Sequence, residues 1–183
     1  MINRVPAQPA TKEFFRFLSE NPAIRNQIRA TPGKTLLYSG AFFRSAFKEI
    51  QDRKRTDPQV AEKEILADVL ARIPVPANLH PNPSKPFPNL LAYVLDLEQQ
   101  VPKNPDGLMI WKALSGIFAA NASGAVSFWI GSGVDESKVF VITEIKVVLR
   151  NPNVDPLAKD LLEYYLRCVQ NKNPGMNVGF ISA

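Results

Sequence analysis

Ala125-Val126-Ser127-Phe128-Trp129-Ile130 is an unbroken run of apolar and small residues, closed at once by Gly131-Ser132-Gly133. A short apolar run that ends on turn residues reads as a buried strand. Three further stretches carry strand texture: Thr35-Leu36-Leu37-Tyr38 far upstream, Thr143 to Leu149, and Asn177 to Ile181. Helical patterns separate them, and that alternation predicts an α/β fold with a small, mostly parallel four-stranded sheet flanked by helices.

Three helix starts share a capping residue followed by proline: Asn21-Pro22, Asp57-Pro58 and Asp155-Pro156. The cap side chain accepts a bond from an otherwise unpaired N–H, and proline at the first helical position sacrifices none. One helix after Asp57 is expected to turn Ala61, Leu66, Val69, Leu70 and Ile73 inward. The helix after Asp155 turns in Leu161, Leu162, Tyr165, Leu166 and Val169. Phe43, Phe47 and Ile50 mark a helix over about 41–54, and Phe14, Phe17 and Leu18 a short one before it. Six prolines between Pro74 and Pro88 enforce extended, irregular chain, which serves as a wrap-around connection or borders a site. Asn89 then caps a helix with Leu90, Leu91, Val94 and Leu95 facing in. Another follows from about Asp106, with Ile110, Leu114, Ile117 and Phe118 inward. The expected architecture is one domain, 1–183, with two lobes and a cleft between them. Residues 1–122 are mostly helical apart from the strand near 34–38, and 123–183 form the α/β part.

At 183 residues, with 45% hydrophobic and 21% charged side chains, the chain can bury a core without staples. A lone cysteine, Cys168, rules out an internal disulfide and a multi-thiolate metal site. A lone histidine, His80, rules out paired-histidine catalysis and reads as solvated within the proline segment. No apolar run approaches the roughly 18 residues a membrane helix needs, and no signal peptide is visible after Met1. The net charge of +5 favours anionic partners. The basic residues are scattered, and their densest group, Arg53-Lys54-Arg55, reads as a solvated helix end, so a nucleic-acid surface is not expected.

Ligands of open parallel sheets bind beyond the carboxyl ends of the strands. That places Ser39 and Gly40, and Gly131-Ser132-Gly133, at candidate positions; the second is either a phosphate-approaching turn or a plain one. Trp111 and Ser115 share a helix face, as core residues or as part of a site. Glu144 lies inside an apolar run. It either faces solvent beside Lys146 or lines a cleft. Asp96 reads by default as a surface residue, and Cys168 as a small core residue.

Taken in order, Trp111-Lys112-Ala113-Leu114-Ser115, Phe118-Ala119, Ala122, Val126, Gly131, Phe140 and Glu144 resemble the ADP-ribosyl cyclase / NAD glycohydrolase family. Leu36-Leu37-Tyr38-Ser39 looks like that family's strand ending in Trp-Ser, and Leu90-Leu91-Ala92-Tyr93-Val94-Leu95-Asp96 like its Leu-Leu-Gly-Tyr helix ending in Asp. The resemblance extends over about 34–181 and is dense over 110–149. Tyr38 stands in place of the family's tryptophan, Gly40 in place of an arginine seen in mammalian members, Val139 in place of a threonine, and Phe87-Pro88 where a second acidic residue is found. The disulfides of the animal enzymes are absent.

The resemblance implies cleavage of the nicotinamide–ribose bond of NAD or NADP, used as substrate, with no cofactor and no metal. Nicotinamide leaves as a neutral molecule, so a strong general acid is not needed. The demand is a carboxylate beside the ribosyl oxocarbenium ion. That role falls to Glu144. Trp111 and Tyr38 would hold the nicotinamide ring, and Ser115 would touch the ribose. Ser39, Phe140, Gly131 and Ser132 would hold the diphosphate, and Asp96 the carboxamide. Water or the adenine N1 then captures the intermediate. Bacterial relatives imply an NAD-depleting toxin, secreted or delivered into a target cell's cytosol, with an immunity protein as partner. The alternatives are a cytoplasmic enzyme, a non-catalytic nucleotide- or protein-binding module of the same fold, and a mono-ADP-ribosyltransferase.

Overall fold

Two short strands with opposite-facing side chains organise the chain. The computed structural model describes residues 9–39, 43–77, 86–100, 106–131, 138, 143–171 and 180–182. β1 (Thr35–Ser39) and β2 (Val126–Ile130) pair in parallel, Thr35 opposite Val126 and Ser39 opposite Ile130. Period-two alternation sends Leu37, Val126, Phe128 and Ile130 into the main core and Leu36 and Trp129 into a smaller one on the other face. All five residues of β2 are buried, as a central strand covered on both faces requires.

Helices cover both faces. The main core is built by α1 (Pro9–Glu20), α5 (Leu66–Ala71), α6 (Leu90–Gln100), α7 (Asp106–Ala120), α8 (Ile145–Arg150) and α9 (Pro156–Gln170). Phe14, Val69, Val94, Leu114, Phe118, Ile145 and Leu162 belong to this one continuous cluster, so the N-terminal helices and the sheet share a core. On the opposite face, α3 (Phe43–Thr56) and α4 (Pro58–Ala61) supply Ile50 and Val60, which pack with Ile65 and Trp129. α2 (Pro22–Gln27) links α1 to the approach to β1. No described helix is long and apolar enough to cross a membrane.

The mixed α/β character and the helical N-terminal region are as expected; the sheet differs. Among the described residues it has three strands in the order β1-β2-β3, and β3 (Phe180–Ile181) runs antiparallel to β2. The expected strand over Thr143–Leu149 is instead a π turn at Thr143–Glu144 leading into α8. Its β-branched residues satisfy strand propensity, but packing beside α7 and α9 decides the outcome. Ile145 and Val148 bury on one helical face while Lys146 and Arg150 stay exposed.

The single helix expected after Asp57 is two. Between α4 and α5 the backbone of Glu64 joins the edge of β1, donating to the Lys34 carbonyl at 2.7 Å and accepting from the Leu36 N–H at 3.0 Å. Those bonds require extended chain, so the helix breaks and Ala61 is left exposed. Asp57 and Asn89 cap as expected, accepting the N–H groups of Gln59 and Ala92 at 2.9 Å each. Asp155 and Asn21 make no such cap bond; Asn21 instead donates to the Phe17 carbonyl. Leu95, expected inside, is exposed, and Leu97 is buried in its stead.

Gly124 just before β2 has φ +71°, and a Cβ there would stand 3.2 Å from the Gly33 nitrogen, itself bonded to the Ser123 carbonyl at 2.8 Å. Gly124→Ala combines an unfavourable backbone region with a backbone clash. It is expected to lower stability by about 1–3 kcal/mol in chemical denaturation.

Candidate functional site

The parallel pair defines the edge where a ligand would sit. β1 and β2 end together, and the Gly131 N–H continues the pairing by donating to the Ser39 carbonyl at 2.7 Å. Ser39 is buried at this edge. Tyr38, half-buried, lies on the smaller core's side, opposite Trp129 in register. Burial pushes the Tyr38 phenol well above its ordinary value, and the nearby carboxylates of Glu144 and Asp68 push it further.

Glu144 is the unusual residue. Its side chain is 7% exposed, as is that of Ser115 on α7. It lies in the π turn just before α8, and such turns recur at functional sites. Burial pushes its carboxyl up to about 8, and the Ser115 hydroxyl, by hydrogen-bonding it, offsets a part of that rise. Of the two sequence readings, solvent beside Lys146 or a cleft, solvent exposure is therefore excluded. Lys146 is exposed on a different side of α8.

The structure thus brings together Glu144 of the π turn before α8, Ser115 of α7 and Tyr38 of β1. Trp111 lies one turn before Ser115, half-buried against the main core. Gly131 stands beside Ser39 through their backbone bond. Asp96 is half-buried on α6, where its charge, with that of Glu13 on α1, acts on Tyr93. Ser132, Gly133, Val139, Phe140, Gly40 and His80 lie outside the described residues.

Two members of this neighbourhood escaped the sequence reading. Asp68, at the third position of α5, accepts the Ile65 N–H at 3.1 Å and pairs with Lys54 of α3. The position has the look of an ordinary helix cap; only the fold sets it near Tyr38. The Arg53-Lys54-Arg55 group is likewise not a uniformly solvated end. Arg53 stacks over the Trp129 ring at 5.1 Å, Lys54 is half-buried against Asp68, and only Arg55 pairs on the surface, with Asp52. A surface depression is lined by Lys48, Glu49, Asp52, Arg53 and Thr56 of α3; none of the described candidate residues is among them. Among the described residues, no three His, Cys, Asp or Glu side chains are grouped to hold a metal ion.

Comparison with family models, with curated proteins and with solved structures finds no match to this chain. A buried carboxyl with a raised pKa, one hydroxyl donor and aromatic rings nearby is held neutral near pH 7, and becomes a charge in surroundings of low dielectric once a cation beside it favours ionisation. Such a group stabilises a cation better than any surface carboxylate does.

Proposed function

We propose that the chain is an NAD(P)+ glycohydrolase of the ADP-ribosyl cyclase kind, with Glu144 as the carboxylate beside the reacting carbon. One observation carries the reading: a buried glutamate, hydrogen-bonded by Ser115, lies within electrostatic reach of Tyr38 at the carboxyl edge of a parallel strand pair. The sequence resemblance independently assigns those three residues to one site.

On this reading Trp111 and Tyr38 flank the nicotinamide ring. Its pyridinium charge favours the ionised form of Glu144, whose proton passes to water as substrate binds. The bond between ribose C1′ and the ring nitrogen then breaks. Its electron pair leaves with neutral nicotinamide, and the oxocarbenium ion forms against the Glu144 carboxylate. Ser115, already bonded to Glu144, steadies that carboxyl and reaches the ribose. Ser39 and Gly131, with Ser132 and Phe140, are assigned the diphosphate, and Asp96 the carboxamide. Water adds at C1′ and loses a proton to give ADP-ribose, or adenine N1 adds to give the cyclic product. By analogy with bacterial relatives, the chain acts as an NAD-depleting toxin held in check by an immunity protein.

The raised Glu144 carboxyl sets a pH signature. Only the ionised form serves, so kcat/KM should climb with pH through a midpoint near 8 and level off above it, while kcat should level off at lower pH because bound substrate favours the carboxylate. A profile flat from pH 6 to pH 9 would contradict this. The defining experiment incubates the protein with NAD and separates the products. Free nicotinamide with ADP-ribose or cyclic product supports the proposal. Labelled ADP-ribose left on protein indicates a transferase, and binding without release indicates a non-catalytic module.

A further inference from the structure

We infer that Gly116 is a positioning residue, whose bare Cα lets Thr143 seat against α7 and so brings Glu144 to Ser115. The inference rests on the proposed role of Glu144. Gly116 follows Ser115 directly, and Thr143 directly precedes Glu144 in the π turn. A Cβ at Gly116 would stand 3.3 Å from Thr143 Cγ2, closer than ordinary van der Waals contact. The backbone does not ask for glycine there, since Gly116 sits within helical α7 and the described glycines with positive φ are Gly33 and Gly124. Glycine inside a helix is otherwise a cost, so close approach is the reason left for it.

The Thr143 hydroxyl is buried and makes no hydrogen bond among the described residues. Its γ-methyl takes up the space that a Cβ at Gly116 would need. The segment carrying the carboxyl thus passes close to α7, with no room for a side chain at Gly116, beside the hydroxyl that the carboxyl meets. Adding a methyl at Gly116 moves Thr143 by a few tenths of an ångström, and Glu144 moves with it.

The test compares wild type, Gly116→Ala, Thr143→Ser and the double variant, by nicotinamide release and by carbon NMR titration of Glu144 in labelled protein. Gly116→Ala is expected to lower kcat about ten-fold or more with KM changed less than about three-fold. The Glu144 midpoint should move up by about half a unit or more, because separation from Ser115 weakens the bond that lowers it. Thr143→Ser, which removes the crowding methyl, should restore both in the double variant and stay near wild type alone. Wild-type kcat and midpoint in Gly116→Ala would overturn the inference and leave the proposed function standing. Should wild type release no nicotinamide, the proposed function fails, and the titration alone decides the inference: a shift reversed in the double variant supports it, and no shift overturns it. If Gly116→Ala does not fold, a folded double variant with a wild-type midpoint supports the contact. A double variant that also fails to fold overturns it, because something other than the Thr143 methyl then meets the new Cβ.

Discussion

Glu144→Gln is expected to cut nicotinamide release by about a thousand-fold or more and, at neutral pH, to raise thermal stability. Both effects come from one buried carboxyl. Gln keeps the size and can still accept the Ser115 hydroxyl, but it cannot carry the negative charge that the oxocarbenium ion needs. The stability arm follows from linkage. The carboxyl titrates near 8 in the folded chain and near its ordinary 4.5 when unfolded. Below 4.5 both states hold the proton and the carboxyl costs nothing. As pH rises from 4.5 to 8, the unfolded state sheds its proton first, so wild-type stability falls through that window. At about 1.4 kcal/mol per pH unit, the loss is on the order of 3–5 kcal/mol by pH 8. The melting temperatures of wild type and Glu144→Gln should therefore nearly coincide at pH 4 and separate steadily toward pH 8, the variant being higher. A variant that melts lower at pH 8 would contradict the burial described here. On the proposed reading, gain of stability with loss of activity is the pattern expected where a buried ionisable group is kept for chemistry at a cost to the fold.

Asn151→Ala should produce the largest loss of stability. The Asn151 amide donates to the carbonyls of Ala119, Ala120 and Ala122 at 3.2, 3.0 and 2.8 Å, closing the end of α7, while its oxygen accepts the Asn153 N–H at 2.9 Å. The residue is 6% exposed, so water cannot easily replace it. Stranding buried carbonyls costs more than the bonds themselves contribute, and a loss of about 2–4 kcal/mol is expected. Urea unfolding should show a lower midpoint with an unchanged slope. Asn151→Asp should be worse, because it turns a carboxylate oxygen toward the same carbonyls. A change under about 0.5 kcal/mol for the alanine variant, the range of ordinary surface substitutions, would contradict the role.

Some of this was legible from the chain alone. The apolar run before Gly131 and the Leu36-Leu37 pair identified both parallel strands, because such runs end abruptly on turn residues. Prolines 22, 58 and 156 located three helix starts, since proline there costs no helical bond. The region around Glu144 was misread because Ile145, Val147, Val148 and Leu149 satisfy strand propensity and a helical face equally; contact with α7 and α9 breaks the tie. Asn151 stands before Pro152 and has the look of a turn residue, and nothing local reveals three carbonyls waiting some thirty residues upstream. The nearness of Glu144 to Ser115 was legible only through the family resemblance, since the two residues lie on different helices. The Lys54–Asp68 pair near Tyr38 left no trace in the sequence. It arises when α3 and α5 pack along β1, a juxtaposition that spacing cannot announce.

The central claim, that Glu144 drives scission of the nicotinamide–ribose bond, is tested most directly by counting label released from NAD carrying radiolabelled nicotinamide, with purified wild type and Glu144→Gln side by side. Many equivalents of labelled nicotinamide per wild-type chain, and almost none from the folded variant, is the predicted result. Equal release from both, or none from either, would contradict it.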